Sequence, residues 1–136
     1  MTPEEKEAKR KRSHFMNFVK NTLRRASYRW PARDEAIRLA RVARGFYKCS
    51  QCEVDTFKRH EVELDHVEPV IDIKEGFTTW DNYITRLFPE AQGYQVLCKN
   101  CHGAKTMIED TLRADYNAQR KDEEKQQIKL DKKKNT

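Results

Sequence analysis

The sequence has few apolar residues and no long apolar run. Apolar residues make up 37% of the 136 positions, and charged residues make up another 37%. No segment approaches the ~20 apolar residues of a membrane-spanning helix, and the start, MTPEEKEAKRKR, lacks the apolar stretch of a signal peptide. We therefore expect a cytoplasmic protein without a membrane partner. The chain is too short for two ordinary cores, so we expect one small core that needs an extra stabilising element.

Only four cysteines occur, and they form two Cys-x-x-Cys pairs. Cys49 and Cys52 are separated by 45 residues from Cys98 and Cys101. In a reducing compartment such pairs bind metal more often than they form disulfides. Four thiolates complete a tetrahedral zinc site without an open position, so we expect a structural Zn²⁺ that closes the intervening segment at its base. Four free buried thiols are the alternative.

Positive charge is concentrated in the two flanks of the chain. Residues 1–44 contain 13 Lys and Arg against 5 acids, residues 45–111 contain 7 against 12, and residues 112–136 contain 8 against 5. The net charges are therefore +8, −5 and +3. A basic arm beside an acidic centre suits a protein that binds a polyanion and holds cations at a reaction centre. We expect nucleic-acid contact by the first flank, with two solvated helix faces as the alternative.

The first flank is predicted to form two basic helices. Apolar residues at helical spacing mark the first, and they are Phe15, Phe18, Val19, Leu23 and Ala26. A second helix is predicted over 30–45, WPARDEAIRLARVARG, with Pro31 near its start and Gly45 as its stop. The candidate DNA contacts are Arg24, Arg25, Arg29, Arg38, Arg41 and Arg44. The last three are expected to form a ridge along the second helix.

The centre of the chain reads as two strands followed by a helix. In RHEVELDH, residues 59–66, apolar and acidic side chains alternate as in a half-buried strand. GYQVL, residues 93–97, is the natural partner strand. A helix is predicted over 101–119, and its apolar stripe consists of Met107, Ile108, Leu112 and Tyr116.

This order brings three polar residues towards one point. Asp65 and His66 end the first strand, and His102 directly follows the zinc ligand Cys101. If the two strands pair, Asp65 and His102 converge with His66 beside them. An Asp-His pair alone is more often a plain surface pair, but the cysteine clamp and a second fixed His favour a catalytic site.

The combined motif CSQC…LDHVEP…LCKNCHGAK resembles the HNH endonuclease family in its four-cysteine, zinc-clamped form. The basic helical lead-in is similar to small HNH proteins encoded by bacteriophages. The resemblance covers residues 46–112 and extends more weakly back to residue 23. It implies an α+β fold with a ββα-metal (His-Me finger) core. It also implies that Asp65 and His102 bind Mg²⁺ or Mn²⁺, that His66 is the general base, and that the products carry 5′-phosphate and 3′-hydroxyl ends.

These residue types suit phosphodiester hydrolysis. The attacking water must lose a proton, and an imidazole with a pKa near ~6.5 accepts one at neutral pH. A carboxylate oxygen is the ligand that Mg²⁺ and Mn²⁺ prefer, and an imidazole nitrogen widens the choice of metal.

The sequence departs from the family pattern at its middle Asn, whose position is occupied by Gly93. The nearest candidate is Asn82, in a short helix predicted to begin near Thr79 and end before Pro89. Asn82 either braces the loop of the general base or faces solvent while its neighbours pack inward; these are Trp80, Tyr83, Ile84 and Leu87. By the Cys-His-x-x-Lys pattern, Lys105 is a candidate phosphate contact, against a plain surface lysine.

The sequence thus predicts a basic helical arm over 1–44, a zinc-stapled HNH nuclease domain over 45–118, and a charged, disordered tail over 119–136. The predicted function is divalent-metal-dependent nicking or cutting of DNA, in the host cytoplasm if the protein is phage-encoded. The alternative is a zinc-ribbon DNA-binding or phage packaging accessory protein, whose partner would be a packaging protein such as a terminase. Homing, packaging and defence are all compatible with the nuclease, and no base-reading motif is recognisable.

Overall fold

A computed structural model describes residues 1–135 and has an α+β fold. Its helices are α1 (Pro3–Ser27), α2 (Pro31–Ala40), α3 (Trp80–Leu87) and α4 (Lys99–Lys134). Its strands are β1 (Arg41–Ala43), β2 (Phe46–Tyr47), β3 (Val62–His66) and β4 (Tyr94–Cys98). They form two antiparallel pairs, β1 with β2 and β3 with β4. The predicted α+β class is therefore confirmed. Within the described residues, no helix is long and apolar enough to cross a membrane.

Helix α1 begins with a capping box. The Thr2 hydroxyl accepts from the Glu5 amide at 3.1 Å, while the Glu5 carboxylate accepts from the Thr2 amide at 3.0 Å. The predicted apolar stripe is only partly used, because Phe15 and Phe18 are exposed whereas Val19 is half-buried. Only the second half of α1 therefore packs against the rest of the protein.

The second helix is shorter than the sequence predicted. Helix α2 ends at Ala40, and the chain turns into the hairpin of β1 and β2. Gly45 has a φ of +83°, which suits the tight turn between these strands, so it closes a hairpin rather than stopping a helix. A hydrogen bond attaches the hairpin to the segment before β3: the Tyr47 amide donates to the Phe57 carbonyl at 2.8 Å.

The predicted arginine ridge is consequently wrong. Arg38 lies in the last turn of α2, Arg41 lies in β1, and Arg44 lies in the hairpin turn. All three side chains are exposed, but they do not follow one helix face.

Strands β3 and β4 form the centre of the fold, and both were predicted. Residues 59–61 form a 3-10 turn, so β3 begins at Val62 rather than at residue 59. In the antiparallel register, Asp65 faces Gln95 and His66 faces Tyr94. Apolar residues of β4 are buried, and Tyr94 packs in a cluster with Ala32 and Ala36 of α2 and with Ala91. Helix α2 therefore belongs to the core.

Helix α3 matches the predicted helix. Its N-cap is Thr79, whose hydroxyl accepts from the Asn82 amide at 3.1 Å, and it ends at Leu87. Tyr83 and Leu87 are buried, as predicted, whereas Ile84 is exposed. The Tyr83 hydroxyl donates to the Lys20 carbonyl at 3.4 Å, which attaches α1 to α3.

Helix α4 continues through the segment predicted to be disordered. It runs 36 residues to Lys134, about 54 Å at 1.5 Å per residue, and Thr136 lies outside the described residues. After Gly103 the helix contains no Gly or Pro and is rich in Lys, Glu and Gln, which are good helix formers. This composition favours a helix even where no other part of the protein packs against it. Its side chains after residue 120 are all exposed.

Most of the predicted apolar stripe of α4 does not pack, although Tyr116 is half-buried. Met107, Ile108 and Leu112 are exposed, whereas a polar row faces the β3–β4 pair and the loop that follows β3. Its members, spaced as one side of a helix, are His102, Lys105, Glu109 and Arg113. The side of α4 that meets the sheet is therefore polar and charged rather than apolar.

Candidate functional site

The four cysteines converge on one point. Their Sγ atoms all lie within 4.8 Å of one another, and those of Cys52 and Cys98 are 4.0 Å apart. Four sulfurs around zinc at about 2.3 Å would be separated by about 3.8 Å. All four thiols are free rather than paired as disulfides. The cluster therefore fits a structural metal such as zinc, as the sequence predicted.

Protonation in the cluster is uneven. Burial raises the pKa of Cys49, but backbone N–H groups of Cys52, Cys98 and Gln51 outweigh it and lower the pKa to about 6. The side chain of Cys98, together with burial, raises the pKa of Cys101 to about 12. Cys49 is therefore more easily deprotonated than Cys101, and metal binding would release the protons that the cluster retains.

The cluster joins the end of β4 to the start of α4. Cys98 is the N-cap of α4, and its sulfur accepts from the Cys101 amide at 3.4 Å. The first cysteine pair is held to the same strand, because the Ser50 amide donates to the Val96 carbonyl at 2.9 Å. A metal at this point would fix the orientation of His102, which follows Cys101.

Asp65 and His102 lie close together, as the predicted strand pairing required. Asp65 Oδ1 is 3.8 Å from His102 Nε2. Two ligand bonds of about 2.1 Å each can span this separation, so one cation could contact both atoms. The other carboxylate oxygen, Oδ2, accepts from Gln95 Nε2 at 3.0 Å. Asp65 is thus held with one oxygen bonded and the other directed at His102.

Lys105 occupies the middle of this site. Its ammonium donates to Asp65 Oδ2 at 2.6 Å, to the His66 carbonyl at 3.0 Å, and pairs with Glu109 Oε1 at 2.9 Å. Burial lowers the pKa of Lys105, but the two carboxylates outweigh it and raise the pKa above its ordinary value. Lys105 is therefore charged and bound to the protein, neither a plain surface lysine nor a free phosphate contact.

His66 is held by a backbone carbonyl. Its Nε2 lies 3.1 Å from the Leu87 carbonyl oxygen, and its ring packs at 4.8 Å against the ring of Tyr94. Since a carbonyl can only accept, Nε2 carries the proton and Nδ1 keeps a free lone pair. Burial lowers the pKa of His66, so the imidazole is neutral at pH 7. This is the protonation state that a proton acceptor needs.

Asn82 does not brace this histidine. Its side-chain amide donates to the Thr78 hydroxyl at 3.1 Å, in the first turn of α3, away from His66. The bracing contacts come instead from backbone atoms: the Leu87 carbonyl holds the ring, and the Gly93 carbonyl accepts from the Val67 amide at 2.9 Å. The sequence carried no signal for either contact, because any residue type supplies a carbonyl.

Gly93 cannot be replaced by Asn without a local rearrangement. A Cβ at this position would lie 2.5 Å from the Cβ of Pro89. Pro89 is anchored in turn, because Trp30 Nε1 donates to its carbonyl at 2.6 Å. Any side chain larger than that of glycine, including Asn, would therefore meet Pro89 at this position.

The loop of residues 67–79 is fastened by three arginines that were not predicted from the sequence. Arg86 donates to the Pro69 carbonyl at 3.0 Å, Arg113 to the Ile71 carbonyl at 3.4 Å, and Arg120 to the Glu75 carbonyl at 3.1 Å. The spacing of Arg113 and Arg120, seven residues apart on one helix, was the available signal.

Asp65 and His66 line a cleft of about 340 Å³. Its charged lining comes from α1 as well as from the centre, and consists of Arg24, Asp65, Lys105, Glu109, Asp110 and Arg113. Arg24 is the one predicted DNA-contact residue in this lining, while Arg25, Arg29, Arg38, Arg41 and Arg44 are exposed elsewhere.

Comparison with known proteins gives no relative: no family model, no curated protein and no solved structure matches this chain.

Proposed function

We propose that the protein is a divalent-metal-dependent DNA endonuclease of the HNH type. The observation that carries the proposal is the 3.8 Å approach of Asp65 Oδ1 to His102 Nε2, beside a neutral His66 held by the Leu87 carbonyl. The order β3, β4, α4 agrees with a ββα-metal core, and the cysteine cluster beneath it would hold structural zinc. Cytoplasmic DNA is the substrate that we propose.

Asp65 and His102 would hold the catalytic cation, Mg²⁺ or Mn²⁺. When bound, such a cation neutralises charge that develops on the phosphoryl oxygens and the departing 3′ oxygen. The protein contributes the orientation of its two ligands. Lys105 and Gln95 fix Asp65 through Oδ2 and leave Oδ1 available, while the cysteine cluster fixes the first turn of α4.

His66 takes the proton of the attacking water at Nδ1. The Leu87 carbonyl keeps the hydrogen on Nε2, so the lone pair on Nδ1 is retained in the resting protein. After the transfer both ring nitrogens carry protons, and the Leu87 carbonyl stabilises the imidazolium through the same hydrogen bond. As the water oxygen bonds to phosphorus, the bond to the 3′ oxygen breaks, and that oxygen takes a proton from solvent water, which leaves a 5′-phosphate and a 3′-hydroxyl.

Relaxation of a supercoiled plasmid tests this function. Zinc-loaded protein should nick or cut DNA when Mg²⁺ or Mn²⁺ is added, and not with zinc alone. His66→Ala should remain folded and bind DNA, but lose about 10²- to 10⁴-fold in rate because the proton acceptor is absent. His60→Ala is the matched control, since His60 is exposed in the turn before β3. A folded, zinc-loaded His66→Ala protein as active as the parent would refute the proposal.

One observation favours the second candidate, a zinc-containing DNA-binding or phage packaging accessory protein. Lys105 already places a positive charge 2.6 Å from Asp65, so this carboxylate has a cationic partner without metal. Such a protein would bind duplex DNA with a steep salt dependence and leave the plasmid supercoiled in the presence of Mg²⁺ or Mn²⁺.

A further inference from the structure

The ammonium of Lys105 has no donor left for a ligand. A lysine side chain carries three N–H donors, and three protein oxygens lie within 3.0 Å of this nitrogen, from Asp65, His66 and Glu109. Two of these belong to the residues at the end of β3. Lys105 therefore ties that strand end to α4, and a phosphate in the cleft must find its donors elsewhere.

Two arginines of the same cleft do have donors to offer. Within residues 1–135, the guanidinium of Arg24 makes no hydrogen bond or ion pair, although it lines the cleft beside Asp65 and His66. Arg113 is weakly engaged: it lies 3.5 Å from the exposed Asp110 and 3.4 Å from the Ile71 carbonyl, and its Nε has no partner among the described residues. Both guanidinium groups could gain shorter, charge-assisted hydrogen bonds from an anion.

The position of Arg24 is fixed by packing of the arm. Lys20, one turn earlier on α1, accepts a hydrogen bond from Tyr83 at its carbonyl and places its ammonium 4.9 Å from the ring centre of Phe77. These interactions hold α1 against α3 and its preceding loop. Helix α1 therefore contributes Arg24 to the lining of the cleft.

We propose that Arg24 and Arg113 hold the DNA phosphate that enters this cleft, while Lys105 positions Asp65 and His66. A planar guanidinium matches two phosphate oxygens, and the two arginines approach from different helices. The identity of the ligand as a DNA phosphodiester rests on the proposed function.

Four single variants test the proposed role of Arg24 and Arg113, which together are called the phosphate clamp. Arg24→Gln and Arg113→Gln each remove one cleft guanidinium. Arg25→Gln removes the same charge from the adjacent position of α1 outside the cleft, and Arg120→Gln removes the other α4 attachment to the 67–79 loop. Each protein is checked for zinc content and helicity. Plasmid cleavage is then measured in single turnover with Mn²⁺ at saturating protein, and binding to a labelled duplex is measured at several salt concentrations.

The cleft variants should each be about 10- to 100-fold slower in single turnover, as expected when a charge-assisted hydrogen bond to the substrate is removed. Arg25→Gln should weaken duplex binding, and its rate at saturation should fall less than that of either cleft variant. Arg120→Gln should change neither the rate nor duplex binding by more than about threefold. Cleft variants that cleave at the parental rate would overturn the clamp. An equal decrease in the cleavage rate of Arg120→Gln would also overturn it, because the effect would then come from the 67–79 loop.

If the parent protein cleaves no DNA with either cation, the nuclease proposal fails and duplex binding alone decides the clamp. Arg113→Gln should then weaken binding about tenfold and lower the salt slope by roughly 0.9, while Arg120→Gln should not. Equal binding by these two variants would overturn the clamp.

Discussion

Replacing Gly93 by Ala should destabilise the protein, although the same change usually stabilises one. The new Cβ would lie 2.5 Å from Pro89 Cβ, nearly 1 Å inside ordinary carbon–carbon contact. Crowding of this kind costs about 1–3 kcal/mol, and the smaller entropy of the unfolded alanine chain offsets about 0.4–1 kcal/mol. The free energy of unfolding should therefore fall by about 1–2 kcal/mol.

Pro89 cannot simply move aside, because its carbonyl accepts from Trp30 Nε1 at 2.6 Å. Relief must therefore come from a shift of the Gly93 backbone, whose carbonyl holds the Val67 amide directly after His66. Gly93→Ala should for this reason also slow DNA cleavage, by loosening the loop that follows the proposed base.

Urea unfolding of zinc-saturated protein measures the effect. With a urea slope of about 1–3 kcal/mol per M, the midpoint should fall by roughly 1 M. Gly103→Ala is the control, because a Cβ there meets nothing within 4 Å and alanine is the better helix former by about 1 kcal/mol. The two variants should shift the midpoint in opposite directions. A Gly93→Ala protein as stable as the parent would refute the steric conflict with Pro89.

Three further predictions address the metal cluster, the arm and the loop. Cys98→Ser should lower zinc affinity and unfold the centre, seen as loss of bound zinc and of cooperative unfolding, because the binding energy of a structural metal is largely folding energy. Deletion of residues 1–16 should preserve folding, since most of this segment is exposed, but reduce the salt slope of DNA binding by roughly 0.9 for each phosphate that is no longer neutralised; an unchanged slope would assign the segment another role. Backbone N–H groups of Glu75 and then Lys74 lower the pKa of Asp72, so its stabilisation of the 67–79 loop should be present above the unfolded pKa and disappear as the pH falls through the lower folded value. NMR titration of the Asp72 carboxyl measures this pKa, and a value at or above 3.8 would contradict the geometry.

The parts of the site that follow from side-chain spacing could be predicted from the sequence. The doubled Cys-x-x-Cys pairs predicted the sulfur cluster, and pairing of 59–66 with 93–97 predicted the approach of Asp65 to His102. Spacing alone determines these features, because pairing two strands and closing one metal site leaves little freedom for the residues adjacent to them.

The parts that depend on backbone atoms or on competing turns could not be predicted in the same way. The hydrogen bond of His66 with the Leu87 carbonyl depends on where α3 packs, and no side chain marks it. The hairpin at 41–47 did leave a signal, since Val42, Phe46 and Tyr47 flank a Gly turn, but the helical periodicity of the preceding residues favoured a longer helix with Gly45 as its stop. The helical state of 119–134 shows that a polar composition excludes burial without excluding a helix.

The polar side of α4 explains why this small protein combines a sulfur cluster with a charged cleft. A helix that meets a sheet through His102, Lys105 and Glu109 gains little from apolar burial, since charged groups are costly to desolvate even when paired. Its angle to the sheet must therefore be held by something other than packing. A metal in the cysteine cluster would supply that constraint at the first turn, where Cys98 and Cys101 bracket the start of the helix. His102 is the residue after Cys101. The constraint would therefore act most strongly on His102, whose position decides its distance to Asp65.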